Sequence, residues 1–588
     1  MSKARKTSLS RRGSPRKTVR KSPRRAASTS QVRARPTFAA VPAAVDIGAE
    51  VPRVRGAGAR QMAPTPGIGR AAAAIVVSAP RKTRMIILPR RGLRAAGTGL
   101  ELSTVNALFA LRHELGRPNI RLSNVVGGIG LAAAPALAGN ITLTVLDSIA
   151  ENGAKLVEMD PADEAVVRAS LPGLRLVSEV FYTPLSLRLS LESSLQPEGT
   201  GSTVRVSVKS GGNGKALRGI RVIGFTNFAQ RSGAEAFTDS KGVAALDFGT
   251  KPSRLERLYV FAERNFWSTM LPSVSTSNAI EVTLDLIDLS VPDVLRTIYG
   301  EAALNVGCGV KVGVIDTVSG PHPLLQISGG FNAVGGQNTS DFGDNGDMHG
   351  THVAGIIAAR GQAPSGVRGI APAVSLFSYR VFPKGSNASN FDIAKAIDQA
   401  RLDGCDLINL SLGRPANAGE GADEPLVRFA LEDAREAGML PIAAAGNDGR
   451  LGVSFPGADE FCLAVSALGN RKAMPAASVS AAAFAPPPGA DANDFVADFS
   501  NIGPEIDLIG PGVGIVSTVP ASDFAVMDGT SMACPAVTGV VARLLAAQSG
   551  ILNMVRNDLR ATAIAQLALN AARTRGFTPQ FEGHGLAQ

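Results

Sequence analysis

The sequence is poor in cysteine, histidine and aromatic residues. Four Cys, five His and one Trp stand in 588 residues, and aromatics make up 5%. Four cysteines over that length cannot staple a disulfide framework, so the fold must rest on buried apolar side chains. An apolar content of 45% and a mean hydropathy of +0.13 are ample for that and exclude a wholly disordered chain. Long hydrophobic runs are missing too. None reaches the roughly 18 residues of a membrane-spanning helix. The best, from Ala71 to Ala79, stops at Pro80-Arg81-Lys82. The first 30 residues lack the apolar stretch of a secretory signal, and Arg11-Arg12 is followed by Gly-Ser-Pro-Arg-Lys instead of apolar residues. The expectation is a cytoplasmic protein, with export by a non-standard route as the alternative.

Acidic residues are scarce in one place only. In the first 100 residues Asp46 and Glu50 face 23 Lys and Arg, a charge of +21. The rest holds 37 Lys and Arg against 47 acids, a charge of −10. The net charge of +11 and the pI near 9.7 therefore belong to the N-terminal stretch. Residues 1–80, rich in Arg, Lys, Ser, Pro and Ala without periodicity, read as a disordered basic tail. It is either a contact for nucleic acid or an anionic surface, or merely a solvated tail.

What is present falls into three further segments. Residues 81–185 predict strands at 83–88, 141–147, 154–159 and 174–182 and helices at 101–114 and 160–171. The turn Glu151-Asn152-Gly153 carries a hairpin signal, and Asp160-Pro161 is a cap followed by proline at the first helical position. Residues 119–140 receive no assignment. The order β-α-β-β-α-β is the ferredoxin-like plan. Residues 186–290 switch to short alternating runs at 187–191, 204–208, 220–225, 243–248 and 258–262, with a turn at Thr238-Asp239-Ser240-Lys241-Gly242, which suggests a small β-sandwich. Residues 291–588 alternate strands with helices. That predicts an α/β fold with a mostly parallel sheet and helices on both faces.

Three residues of this last segment sit where a strand ends or a helix begins. Asp316 follows the apolar run 310–315. His349 opens His349-Gly350-Thr351-His352-Val353-Ala354-Gly355. Ser531 lies in Gly529-Thr530-Ser531-Met532-Ala533-Cys534-Pro535. In an open parallel sheet such ends converge on one rim. A serine hydroxyl needs a neutral imidazole to take its proton and a carboxylate to hold that imidazole in one tautomer. Ser531 at a helix N-terminus adds backbone N–H groups for a developing oxyanion. Asn447, at the end of Ala443-Ala444-Ala445-Gly446-Asn447, offers a side-chain amide to the same oxyanion. Taken singly, each is more often a turn residue or a cap. Together they run Asp, His, Ser with gaps of 33 and 182 residues, the order of subtilisin. A zinc reading of His349 and His352 lacks further nearby histidine ligands.

With these motifs in view, residues from about 300 to 588 resemble the subtilisin-like serine proteases (subtilases, peptidase S8). Supporting stretches are Val312-Gly313-Val314-Ile315-Asp316-Thr317, Gly366-Val367-Arg368-Gly369-Ile370-Ala371-Pro372, Phe499-Ser500-Asn501-Ile502-Gly503 and Asp507-Leu508-Ile509-Gly510-Pro511-Gly512. The resemblance implies a serine endopeptidase acting on polypeptides, with Asp316, His349 and Ser531 as triad and Asn447 as oxyanion donor. It implies that Ser411, Leu412 and Gly413 form the strand that pairs with substrate. Ala444, Ala445 and Gly446 would line the pocket for the residue before the scissile bond. No cofactor and no metal site are implied by these residues. The order of elements in 81–185 resembles the inhibitory propeptide of this family, and the resemblance implies an intramolecular inhibitory domain with cleavage after Tyr182 or nearby. The segment 186–290 resembles carboxypeptidase-regulatory-like or immunoglobulin-like modules. Two departures stand out: Ala536 replaces the family's usual His after Pro535, and the loop 318–323 is shorter than usual. The alternative function is a catalytically silent binding protein whose basic tail engages nucleic acid or a membrane surface.

Overall fold

The computed structural model describes residues 82–96, 100–113, 119–128, 141–171, 173–186, 195–343, 345–416 and 424–588. The basic tail and the strand expected at 187–191 lie outside the described residues. Among the described residues, the first sheet has five antiparallel strands in the order Asn119–Arg121, Thr142–Ser148, Lys155–Met159, Thr83–Pro89, Leu174–Ser178. The strand Asn119–Arg121 and a helix Leu122–Gly128 fill part of the stretch that the sequence left unassigned. Asp160 caps the next helical segment by accepting the N–H of Ala162 at 2.9 Å.

The strand Thr83–Pro89 is apolar without alternation because both its faces are covered. Met85 and Ile87 enter the core of the N-terminal unit with Leu108, Val145 and Val157. Ile86 and Leu88 point the opposite way, as the two-residue period of a strand requires. They join a second core with Phe391, Ile397, Ala430 and Leu431 from the helices Asn390–Leu402 and Pro425–Glu436. At the edge of that contact Arg94 makes two hydrogen bonds to Asp398, at 2.6 and 2.5 Å, and Lys395 pairs with Asp147 at 2.7 Å. Lys155 is fully buried, and its ammonium donates to the carbonyls of Ala150, Glu151 and Gly153 at 2.6 to 2.8 Å, which ties the hairpin turn to its own strand.

One expected element divides. The strand foreseen at 174–182 ends at Ser178, and Phe181–Pro184 forms a separate strand in another sheet. The break has a physical cause. Asn390 donates its backbone N–H to the carbonyl of Val180 at 2.8 Å, and its side chain meets Val180 N–H and Ser178 carbonyl. The chain is pulled off the first sheet and onto the C-terminal domain.

The next segment packs two sheets face to face. Among the described residues, one has five strands in the order Thr269–Ser275, Arg254–Phe261, Arg221–Asn227, Ser232–Phe237, Gln196–Pro197. The other has three, in the order Val243–Phe248, Ser202–Ser210, Ile280–Leu284. Val204, Val206, Val208, Leu246, Phe248 and Leu258 fill the space between them. Asp239 accepts the N–H groups of Lys241 and Val243 at 2.8 and 3.0 Å, and Gly242 turns at φ 75°.

The C-terminal domain is built on parallel strands. From Ile327–Asn332 through Ser375–Arg380, Lys311–Asp316, Leu407–Leu410, Leu440–Ala444 and Leu463–Asn470 to Ile506–Pro511, every neighbouring pair is parallel. The helices His349–Ala358 and Thr530–Ala546 contribute to one apolar core against this sheet, and Asn390–Leu402 and Pro425–Glu436 contribute to the other. Asp316 ends one strand, Ser411 follows a second and Asn447 a third. His349 and Ser531 lie in the first turns of their helices. The α/β architecture places all five on one rim.

Candidate active site

Asp316, His349 and Ser531 are almost wholly buried, at 1%, 3% and 0% exposure. His349 Nδ1 lies 2.8 and 3.0 Å from the two carboxylate oxygens of Asp316. With Nδ1–H donated to that carboxylate, Nε2 is the acceptor nitrogen, and it is buried with no hydrogen-bond partner. Asp347 accepts the backbone N–H of His349 at 2.9 Å and fixes the start of the helix. Burial works against the imidazolium of His349, but the charge and hydrogen bond of Asp316, with Asp347 behind them, outweigh it and hold the proton above the ordinary value of 6.5.

Ser531 is not hydrogen-bonded to His349 here. Its hydroxyl donates to the carbonyl of Ser411 at 2.9 Å. A rotation about the Ser531 Cα–Cβ bond redirects that hydroxyl, and apo or inhibited sites commonly hold such bonds open. Asn447 Oδ1 accepts both the N–H and the hydroxyl of Thr530 at 2.9 Å, which leaves Nδ2 buried and without a partner. Gly446 must be glycine: its φ is 113°, and a Cβ there would sit 2.3 Å from Asn501 Nδ2.

The cleft is filled by the chain itself. Phe181–Pro184 runs antiparallel between Ala388–Ser389 and Leu412–Gly413, with Tyr182 opposite Ala388 and Pro184 opposite Leu412. Leu185 continues it. Its N–H donates to Ser411 carbonyl at 3.3 Å, and its carbonyl accepts the N–H of Ser531 at 3.2 Å. A Cβ at Gly529 would stand 2.5 Å from that carbonyl oxygen and 3.2 Å from Asn447 Nδ2, so both atoms lie beside Gly529. The Leu185 side chain lies against Gly413, where a Cβ would come within 2.9 Å of its Cδ1. Ala444 shares its apolar cluster, whereas Ala445 packs elsewhere, with Val453, Ala464 and Ile506.

Sequence reasoning missed a buried hydrogen-bond chain beneath the site. Thr538 Oγ1 donates to Asn409 Oδ1 at 3.1 Å, Asn409 Nδ2 to Ser411 Oγ at 2.9 Å, and Ser411 Oγ to Ser531 carbonyl at 2.9 Å. The signal was available as a lone Asn inside the apolar run Leu407-Ile408-Asn409-Leu410. It locks the strand end to the helix that carries Ser531. The neighbouring heteroatoms are inert. His352 bonds two backbone carbonyls, those of Ile515 and Ala525, and burial pushes its pKa down to about 3. Cys534 is buried and its thiol is pushed up to about 12. Among the described residues, no three His, Cys, Asp or Glu are grouped to hold a metal ion, and no helix is long and apolar enough to cross a membrane.

An α/β fold with an Asp, a His and a Ser together at the rim of its sheet is an arrangement found in serine hydrolases. Comparison makes the assignment. The model of the subtilase family, peptidase S8, matches residues 307–585. Subtilisin DY of Bacillus licheniformis is 33% identical over 263 residues, covering 44% of this chain and 84% of that protein. Subtilisin Savinase of Lederbergia lenta is 34% identical over 278 residues, covering 47% and 91%. Alkaline elastase YaB of Bacillus sp. (strain YaB) is 36% identical over 282 residues, covering 48% and 63%. The chain belongs to the subtilase family and is a serine endopeptidase.

Proposed function

We propose that this endopeptidase works through an acyl-enzyme formed on Ser531 and is held latent by its own residues 82–185. His349 takes the Ser531 proton as the hydroxyl attacks a peptide carbonyl, then returns it to the leaving amine. Asp316 holds the His349 tautomer. Asn447 Nδ2 and the Ser531 N–H stabilise the oxyanion. The observation that carries the reading is the Asp316–His349 contact at 2.8 Å beside a Ser531 whose N–H already holds a carbonyl oxygen, that of Leu185. Latency is supported by the same carbonyl, because 182–185 take the place of a substrate. Tyr182 is the fourth residue before the Leu185–Ser186 bond and is fully buried. On this reading the bond that the enzyme cuts in itself is Leu185–Ser186, three residues beyond Tyr182. A fluorophosphonate labels active serine hydrolases covalently. Processed wild-type protein is expected to label and Ser531→Ala to stay unlabelled; a processed wild-type protein that never labels would sink the proposal.

A further inference from the structure

The β-sandwich lines the cleft beside His349 with Phe261, Ala262 and Ser268, and it also grips one turn of the C-terminal domain. The strands Ile515–Val519 and Asp523–Met527 form a hairpin in which Val519 pairs with Asp523. Its turn, Pro520-Ala521-Ser522, keeps Ala521 at φ 71° and Ser522 at φ 64°. Residues that carry a Cβ seldom adopt this left-handed backbone, and two in succession need outside support. The sandwich supplies it. Arg264 donates to Pro520 carbonyl at 2.9 Å and to Asp523 Oδ2 at 3.2 Å. Asn265 donates its backbone N–H to Phe524 carbonyl at 2.7 Å and its Nδ2 to Asp523 Oδ1 at 2.9 Å, while its Oδ1 accepts the N–H of Phe524 at 3.2 Å. Asn265 is itself anchored in the sandwich, where its carbonyl accepts the N–H of Ile287 at 3.0 Å.

The gripped hairpin joins the nucleophile to the base. Its second strand runs from Met527 through Asp528, Gly529 and Thr530 to Ser531. Against the helix that opens at His349, His352 donates Nε2–H to the carbonyls of Ile515 and Ala525, one on each strand, at 3.0 and 3.1 Å. Ser517 and Thr518 donate their hydroxyls back to the carbonyls of His352 and Thr351 at 2.7 and 3.0 Å. Where the hairpin lies therefore affects how Ser531 stands to His349. The two are not yet hydrogen-bonded, since the Ser531 hydroxyl donates to Ser411 carbonyl and His349 Nε2 has no partner. Their approach is the kind of alignment on which the rate of an attack depends. From this we infer that Asn265 and Arg264 are positioning residues for the proteolytic reaction: by holding the turn they fix the hairpin, and through it the placing of Ser531 against His349. The inference rests on the protease reading above. The sandwich follows the Leu185–Ser186 bond in the chain, so cleavage there leaves this brace attached to the enzyme.

The test uses processed enzyme, an extended peptide and a peptidyl p-nitroanilide, which has no amino acid after the scissile bond and so reads no substrate contact with the sandwich. Active sites are counted by fluorophosphonate titration, so that unfolded protein does not enter kcat. Asn265→Gly, which tolerates the φ of 62° at this position, and Arg264→Gln are each expected to lower kcat roughly tenfold and leave KM within about twofold, alike on both substrates. Asn265→Asp sets two carboxylates together and is expected to do the same. Adding Asp523→Asn to it restores an amide–carboxylate bond in reverse and is expected to recover most of the loss. A residue that only stabilises the fold would lower the melting temperature and leave kcat per active site unchanged. That result in both Asn265→Gly and Arg264→Gln overturns the inference, as does a loss confined to KM for the extended peptide. If neither of those variants folds, Asn265→Asp decides, and a loss that Asp523→Asn does not recover overturns the inference. Failure of wild type on the nitroanilide itself would instead strike the protease reading.

Discussion

The two sides of the cleft are made differently. Before the Leu185–Ser186 bond, the chain is held by backbone: Ala388–Ser389 and Leu412–Gly413 sandwich Phe181–Pro184 as strands. After it, the cleft is lined by side chains, and five of the fourteen lining residues come from the β-sandwich. Backbone pairing tolerates many sequences and needs only that a strand end be presented. A side-chain wall discriminates. The difference puts backbone pairing on one side of the cleft and a side-chain wall shared with the β-sandwich on the other.

Two variants bear on that comparison, after the Ser531→Ala labelling test, which has the largest effect. Asn447→Ala should reduce kcat by about 100- to 1,000-fold, the range known for a lost oxyanion donor in subtilisin. Steady-state kinetics should show that loss equally with the nitroanilide and with extended peptides, because the oxyanion belongs to both sides. A loss confined to extended peptides would move Asn447 into the leaving-side wall. A smaller effect concerns pH. His349 acts as a base only when neutral, and its pKa is held above 6.5, so kcat/KM should rise with pH through a value above 6.5. Asp347→Asn removes one of the charges that hold the proton and should move this acid limb to lower pH. An unmoved limb in a pH–rate profile would mean that Asp316 sets it alone.

The family domain was legible because its matching motifs are short and sit at strand and helix ends. Asp316, His349, Asn447 and Ser531 could each be placed near a strand or helix end from its neighbours, and the elements beside them begin or end within a residue or two of the expected places. The path of 178–186 was not legible. An alternating run such as Leu174 to Tyr182 carries no mark of where it changes sheets, and the change is dictated by Asn390, over 200 residues away. The sandwich shows the same limit. Ser232–Phe237 has two small residues, Gly233 and Ala234, where a strand signal needs bulky ones, and its pairing with Arg221–Asn227 decides its form. That Phe261 faces His349 is a fact of docking, and no periodicity encodes it. Charge was legible only in part. Most of the excess of Lys and Arg flagged by the pI falls in residues outside the described structure, whereas the carboxylates lining the cleft beside His349 were invisible in any sum.

The central claim is that residues 182–185 lie in the cleft as this enzyme's own first substrate. Intact mass and N-terminal sequencing of freshly made wild-type and Ser531→Ala protein test it most directly. The account predicts that wild type yields a chain beginning at Ser186 while Ser531→Ala remains uncut at Leu185–Ser186. Identical masses in the two proteins, or a wild-type cut at some other bond with Leu185–Ser186 intact, would contradict it.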